Sequence, residues 1–174
     1  SARTLIKPTP TPASLKKILT AAARTPDHGK LNPWRFLILS EKILPKIAEK
    51  ILKFGEVKKI DPNKTLKTAN IFLKSPLIVA VICSPKSTLR IPLIEQKLSA
   101  GAVCLSLLNA AQAEGWGANW LTGWISHDKQ FSRRVLGLSK SEFVAGFIHI
   151  GTKTVKPAER ERPNLTDIIS WLEM

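Results

Sequence analysis

Apolar and polar positions recur along this chain with two different periods, and the changes of period mark its elements. In "PTPTPASLKKILTAAART" the residues Leu15, Ile18, Leu19 and Ala22 share one helical face, which predicts a first helix. Thr11 stands at its N-cap and Pro12 in its first turn. The loop "RTPDHGKLNP" follows, and "WRFLIL" then reads as a strand. Ser40 is placed to cap a second amphipathic helix, with Ile43, Ile47 and Ile51 inward and Lys42, Lys46, Lys50 and Lys53 outward. Residues 55–75 keep no clean period and read as an irregular or mobile connection with some helical content. "SPLIVAVICS" is a continuous β-branched run, the pattern of a strand buried on both faces.

A long helix is expected from Ile94 to Glu114, apolar around most of its circumference and therefore central. Its Ser99-Ala100-Gly101-Ala102 step leaves room for close approach by another helix, in this chain or in a second subunit. Gly115 is placed to end it. "WGANWLTGW" reads as a short strand running into a loop, Asp128 as the cap of a small helix ending at Gly137, and Phe143–Gly151 as the last core strand. The tail is polar, then amphipathic around Ile168, Ile169, Trp171 and Leu172. Helices and strands mix without strict βαβ alternation, and the glycines form neither a dinucleotide fingerprint nor a phosphate loop of the Walker type.

Composition narrows the class. At 174 residues the chain is the size of one domain, and 44% hydrophobic residues are too many for a disordered one. The longest apolar run, Leu77–Cys83, is strand-sized and too short to span a bilayer. Cys83 and Cys104 sit in apolar periodic segments and read as buried thiols of a reducing cytoplasm. No secretory signal is visible; the first residue is Ser1, so residues upstream are expected. The net charge of +14 suits either a solvated basic surface or attraction to polyanions or a phosphorylated small molecule. A nucleic-acid module would interleave aromatic residues with its cations, and the lysine face does not.

The candidate chemistry is not hydrolytic. Acidic residues are scattered, no Gly-x-Ser-x-Gly elbow occurs, and His28, His127 and His149 form no metal-ligand spacing. His149 falls inside an apolar strand and reads as a core or strand-surface residue. His28 has distinctive company: Arg24, the Pro26-Asp27 turn, Gly29, Lys30, Asn32 and Trp34. The loop suits helix capping with an Asx-turn at Asp27, and equally an anion- or heterocycle-binding site. "GWGANWLTGW" could line a flat aromatic ligand or simply turn into a Trp-filled core. Ser1 and Arg3 at one end, and Arg160 and Arg162 at the other, offer groups suited to phosphate.

Taken in order along the chain, these segments resemble the FMN-dependent nitroreductase family, in its small compact branch of NAD(P)H nitroreductases. The Pro-Asp-His…Pro-Trp loop at Pro26–Trp34 is the specific signal; "EQKLSAGAVCLSLLNAAQAEGWGANWLTG" and "VAGFIHIGT" extend it over nearly the whole chain. The resemblance implies one domain over residues 1–174 with an α+β fold, a central mixed or antiparallel sheet wrapped by helices. It also implies a homodimer with the long helix at the interface. FMN is the implied cofactor and NAD(P)H the co-substrate, with a nitroaromatic, quinone or related electrophile as acceptor. Dehalogenation, enone reduction and flavin destruction run on the same scaffold.

Site residues carry over by position. Ser1 matches a serine that grips the FMN phosphate, and Arg3 a further basic phosphate contact. Arg24 and His28 match flavin contacts made from the partner subunit. Trp120, Leu121 and Thr122 match the segment beside the flavin, where relatives carry an arginine and a serine in place of Leu121 and Thr122. A backbone contact survives that change. Arg160 and Arg162 resemble a phosphate-binding tail. No side chain is implied as catalytic acid or base, since the chemistry lies on the flavin, and no metal is implied.

Overall fold

The computed structural model describes residues 2 and 4–172. Its elements in chain order are β1 (Leu5–Ile6), α1 (Pro12–Ala22), β2 (Trp34–Ser40), α2 (Leu44–Val57), α3 (Pro62–Lys74) and β3 (Leu77–Cys83). There follow α4 (Leu93–Ala113), β4 (Gly117–Leu121), α5 (Trp124–His127), α6 (Lys129–Leu136) and β5 (Phe143–Lys153). Single 3-10 turns lie at His28–Lys30 and Leu165–Asp167.

Every strand pairing among the described residues is antiparallel, so the mixed alternative is resolved. β3 lies between β2 and β5, and β5 also pairs with β4 and, at its end, with β1. The pleat of β3 sends Ile78, Ala80 and Ile82 to one side and Leu77, Val79, Val81 and Cys83 to the other. Both sides are covered, as its unbroken apolar run implies. The first side packs on α2, α3, α5 and α6 through Ile47, Ile51, Phe72, Ile125 and Phe131. The second packs on α1 and α4 through Ile18, Ala22, Ala100, Val103, Cys104 and Leu107.

Several local signals act as the sequence suggests. The Thr11 hydroxyl accepts from the Ser14 amide at the start of α1, and Asp128 Oδ1 accepts from the Phe131 amide at the start of α6. At the end of α4, the Gly115 amide donates to the Gln112 carbonyl and the Trp116 amide to the Ala111 carbonyl. That pair requires the positive φ of 86° that Gly115 adopts.

Residues 55–75 differ from expectation. α2 runs on to Val57, and α3 is a regular helix capped by Asp61, with Pro62 in its first turn. Its buried positions are Thr65, Ala69 and Phe72, but Leu66 and Leu73 are exposed, and these outward apolar residues blur the period. Ile43 also differs: it is exposed, α2 starts at Leu44, and Ser40 contributes only its carbonyl there. The tail residues Ile168, Ile169, Trp171 and Leu172 are exposed and form no amphipathic helix.

The α2–α3 crossing is close. A Cβ added at Gly55 would stand 2.2 Å from Thr65 Cγ2 and 2.5 Å from Thr65 Oγ1. Gly55→Ala is therefore expected to destabilise the protein by about 1–3 kcal/mol, despite the better helix propensity of alanine. Urea unfolding measures this, and a gain in stability would show that the helices are free to separate.

Candidate functional site

A large cavity, about 990 Å3, is walled by α3, the N-terminal segment, β4 and β5. α3 supplies Asn63, Lys67, Asn70 and Lys74, spaced four, three and four residues apart and so on one helical stripe. The inward stripe of Thr65, Ala69 and Phe72 fixes that orientation. Ala2, Thr4 and Leu5 face α3 across the cavity, with Asn119 and Leu121 of β4 completing a wall. Among the described residues two lysines and no carboxylate line it, so the cavity favours an anion at one point and amide hydrogen bonding elsewhere.

Ser75 and His149 add a further polar pair to the lining. His149 is 3% exposed, with Phe72 edge-on to its ring. Its Nδ1 is 2.5 Å from Ser75 Oγ, while its buried Nε2 has no hydrogen-bond partner among the described residues. Burial pushes the imidazole down to about 4, so it is neutral near pH 7. A buried polar atom without a partner is rare enough to need an explanation, and a group bound in the cavity would supply one.

The opening loop is built differently. Asp27 Oδ1 accepts from the Leu31 amide at 2.6 Å and from the Asn32 amide at 3.3 Å, four and five residues on, so Asp27 closes the whole loop instead of making the expected Asx-turn, which takes the amide two residues on. The Thr25 hydroxyl and the Pro26 carbonyl tie the loop to Ser106 and Ser99 of α4. His28 Nδ1 is 2.7 Å from Glu95 Oε2, both side chains largely in solvent. The Arg24 side chain is exposed, with no ion pair among the described residues. Neither Arg24 nor His28 lines the large cavity of its own chain.

The other sequence candidates separate. Leu121 lines the cavity, but the pleat of β4 turns Trp120 to the opposite sheet face, where a Cβ on Gly146 would strike its indole. Thr122 is exposed just past the strand. Arg160 and Arg162 are exposed outside the cavity lining, and Arg162 pairs with Glu159 and the Arg160 carbonyl. Ser1 and Arg3 lie outside the described residues. Cys83 and Cys104 are buried thiols, pushed up to about 11 and 12 by desolvation, and are unreactive at neutral pH. No cluster able to hold a metal ion occurs among the described residues.

Sequence reasoning missed Asn63, Lys67, Asn70, Lys74, Ser75 and Asn119 as a site; His149 is buried, as expected of a core residue, but its place in the cavity lining was missed too. The available signal was the polar stripe at 63, 67, 70 and 74, masked because its lysines read as one more solvated face.

The model of the Nitroreductase family matches residues 1–152. A Haemophilus influenzae protein named "Putative NAD(P)H nitroreductase" is 34% identical over 164 residues, covering 92% of this chain and 87% of its own length. Escherichia coli YdjA, which bears the same description, is 29% identical over 157 residues, covering 90% and 85%. Among solved structures, a nitroreductase-like protein from Bacillus cereus superposes with a TM-score of 0.83 at 21% identity, covering 99% of this chain and 91% of that one. A point mutant of the FMN and NADPH-dependent nitroreductase NfnB of Sphigopyxis sp. strain HMH gives a TM-score of 0.76 at 17% identity, covering 98% and 94%. By the span of the family match and the identity of its relatives, this chain belongs to the nitroreductase family.

Proposed function

We propose that the chain is an FMN-dependent oxidoreductase that draws electrons from NAD(P)H. The observation that carries this reading is the cavity beneath α3, polar-walled, with two lysines, no carboxylate and an unpartnered buried imidazole nitrogen among the described residues. FMN joins a flat amphipathic ring to a phosphate of nearly two negative charges. Lys67 and Lys74 suit the anion, while Asn63, Asn70, Asn119 and Ser75 suit the heteroatoms of the ring edge. Leu66, Ile71 and Leu121 offer apolar surface for the ring itself. Ser1 and Arg3 flank Ala2, a lining residue, and we assign them to the phosphate. The relatives' names, which specify NAD(P)H and, for NfnB, FMN, support the same assignment.

When bound, FMN would supply the redox chemistry, hydride transfer between NAD(P)H and an electrophile such as a nitroaromatic or quinone. The protein's part is to bind and orient. The α3 stripe holds polar groups along one wall, and neutral His149 fixes the Ser75 hydroxyl at the cavity lining. No side chain is required as acid or base.

We read residues 1–174 as one domain and its working form as a homodimer meeting along α4. Ile94, Leu98 and Leu105 form an exposed apolar stripe there, and a Cβ on Gly101 would meet nothing within 4 Å. Arg24 and His28 stand off their own cavity, which suits contacts to a flavin held mainly by the partner subunit. Two buried free thiols suit a reducing cytoplasm. No helix among the described residues is long and apolar enough to cross a membrane.

Purified protein is expected to be yellow and to release FMN on denaturation. Arg24→Ala and His28→Ala are each expected to weaken FMN retention about tenfold with unchanged far-UV circular dichroism, the value of one charge-assisted hydrogen bond. A colourless protein that cannot be reconstituted with FMN overturns the reading. Turnover of NAD(P)H with nitroaromatic, quinone, halogenated and enone acceptors, against O2 alone, ranks the acceptor class.

A further inference from the structure

A second cavity, of about 450 Å3, shares no lining residue with the first. Four cations line it: Lys97 of α4, Lys129 and Arg133 of α6, and Lys140 of the following loop. None of them has a carboxylate within 4 Å among the described residues. One carboxylate, Glu142, also lines the cavity, but Arg35 holds it through Nε at 2.7 Å and Nη2 at 3.0 Å. Asp128, between α5 and α6, is likewise committed, capping α6 with Oδ1 and standing 3.5 Å from Lys58 Nζ with Oδ2. The four cations are therefore unbalanced, which favours an anion in this cavity over an empty one.

The remaining lining, which also takes in His127 and Ser141, has an apolar part and a buried hydroxyl part. Pro85, Leu93 and Phe143 are apolar, and Lys97 Nζ stands 5.9 Å from the centroid of the Phe143 ring. Ser126 and Ser132 are each 4% exposed, and the Ser126 hydroxyl has no hydrogen-bond partner among the described residues. A buried hydroxyl left unpaired lowers stability, so its presence beside four cations points to an oxygen-rich ligand that pairs with it. The volume exceeds what a lone oxyanion fills and lies in the range of small-molecule sites.

We propose that this second cavity binds the phosphate of a phosphorylated small molecule, with the four cations around the anion and Ser126 donating to a phosphate oxygen. Pro85, Leu93 and Phe143 cover the ligand's carbon portion. The site stands apart from the flavin assignment and does not depend on it. The phosphate can belong to a free monoester or to a phosphorylated dinucleotide co-substrate, and the two sources are separable.

The test is calorimetric titration of the FMN-saturated protein at constant ionic strength with inorganic phosphate, AMP, adenosine 2′,5′-bisphosphate and adenosine. Phosphate and AMP are expected to bind saturably, AMP with a Kd of about 1 mM or below, and adenosine not to bind. The double variant Lys129→Glu, Arg133→Glu is expected to weaken AMP about 30-fold or more, with flavin content unchanged. Ser126→Ala is expected to weaken AMP about fivefold while leaving the melting temperature equal or higher, which a purely structural serine would not do. Bisphosphate binding tenfold tighter than AMP, with KM for NADPH but not NADH raised in the double variant, assigns the phosphate to the dinucleotide. Equal binding with unchanged KM values assigns it to a free monoester. Absence of saturable phosphate and AMP binding, adenosine binding as well as AMP, or unaltered AMP affinity in the double variant overturns the proposal.

Discussion

Phe72→Ala is expected to lower the unfolding free energy by about 3–5 kcal/mol and to cost the protein its grip on FMN as well. Phe72 is 2% exposed and is the bolt between α3 and the sheet. Its ring meets Phe147 edge-on at 5.1 Å and the His149 imidazole at 5.8 Å. Removing it leaves a void where α3 turns its inner stripe to β5, behind the side chains that line the large cavity. The same helix presents Lys67, Asn70 and Lys74, so any tilt of α3 moves all three together. Phe72→Leu keeps most of the volume and is expected to lose only about 1–1.5 kcal/mol. Urea unfolding reads the stability and flavin fluorescence the retention. If Phe72→Ala loses stability but binds FMN like the parent, α3 does not form the flavin wall.

Acid is expected to weaken the protein in two successive windows. The folded His149 titrates near 4 against an ordinary 6.5, because burial disfavours the imidazolium. Between those values the unfolded chain takes up a proton that the folded chain refuses. Stability is therefore whole above about pH 6.5 and falls on the way to pH 4, by about 3 kcal/mol in total. Glu142 acts in the next window. The Arg35 guanidinium beside it, with the Ser139 amide, holds its carboxyl down to about 2 from an ordinary 4.5. Its stabilisation is present above pH 4.5 and is lost as pH falls toward 2. The Glu142 side chain is 9% exposed but that of Arg35 is 40%, so solvent screening reduces the value to about 1–2 kcal/mol. Urea midpoints measured from pH 7 to 2 test both. His149→Leu should flatten the first window alone and Glu142→Gln the second alone; parallel curves for parent and variants would refute the assignment.

How far the site was legible depends on the element. Neighbouring residues in "WLT" carried one expectation, but a pleated strand cannot keep them together: Leu121 enters the cavity and Trp120 the opposite face. His149 shows the reverse case. In an apolar strand it reads as core, and it is buried, yet it lines the cavity because the sheet pairs it with Asn119 of β4. The α3 stripe was hidden by composition, since lysines at helical spacing look the same whether they face solvent or a cleft.

The sequence by itself determined the local grammar: the Thr11 and Asp128 caps, the Gly115 stop, the doubly buried β3 and the family to which the chain belongs. Each of these is written within a few neighbouring residues, or in an ordered string of motifs, and needs no distant partner. Only the tertiary structure decided which polar residues meet. Lys67, Asn119 and His149 come from three elements, and Lys97 shares the second cavity with Arg133 and Lys140 only after α4, α6 and β5 have docked. The physical reason is that a cavity is made by what fails to fill it. Core contacts fix the inward stripes, and the residues left facing one another across the remaining space are set by those contacts, not by their own spacing.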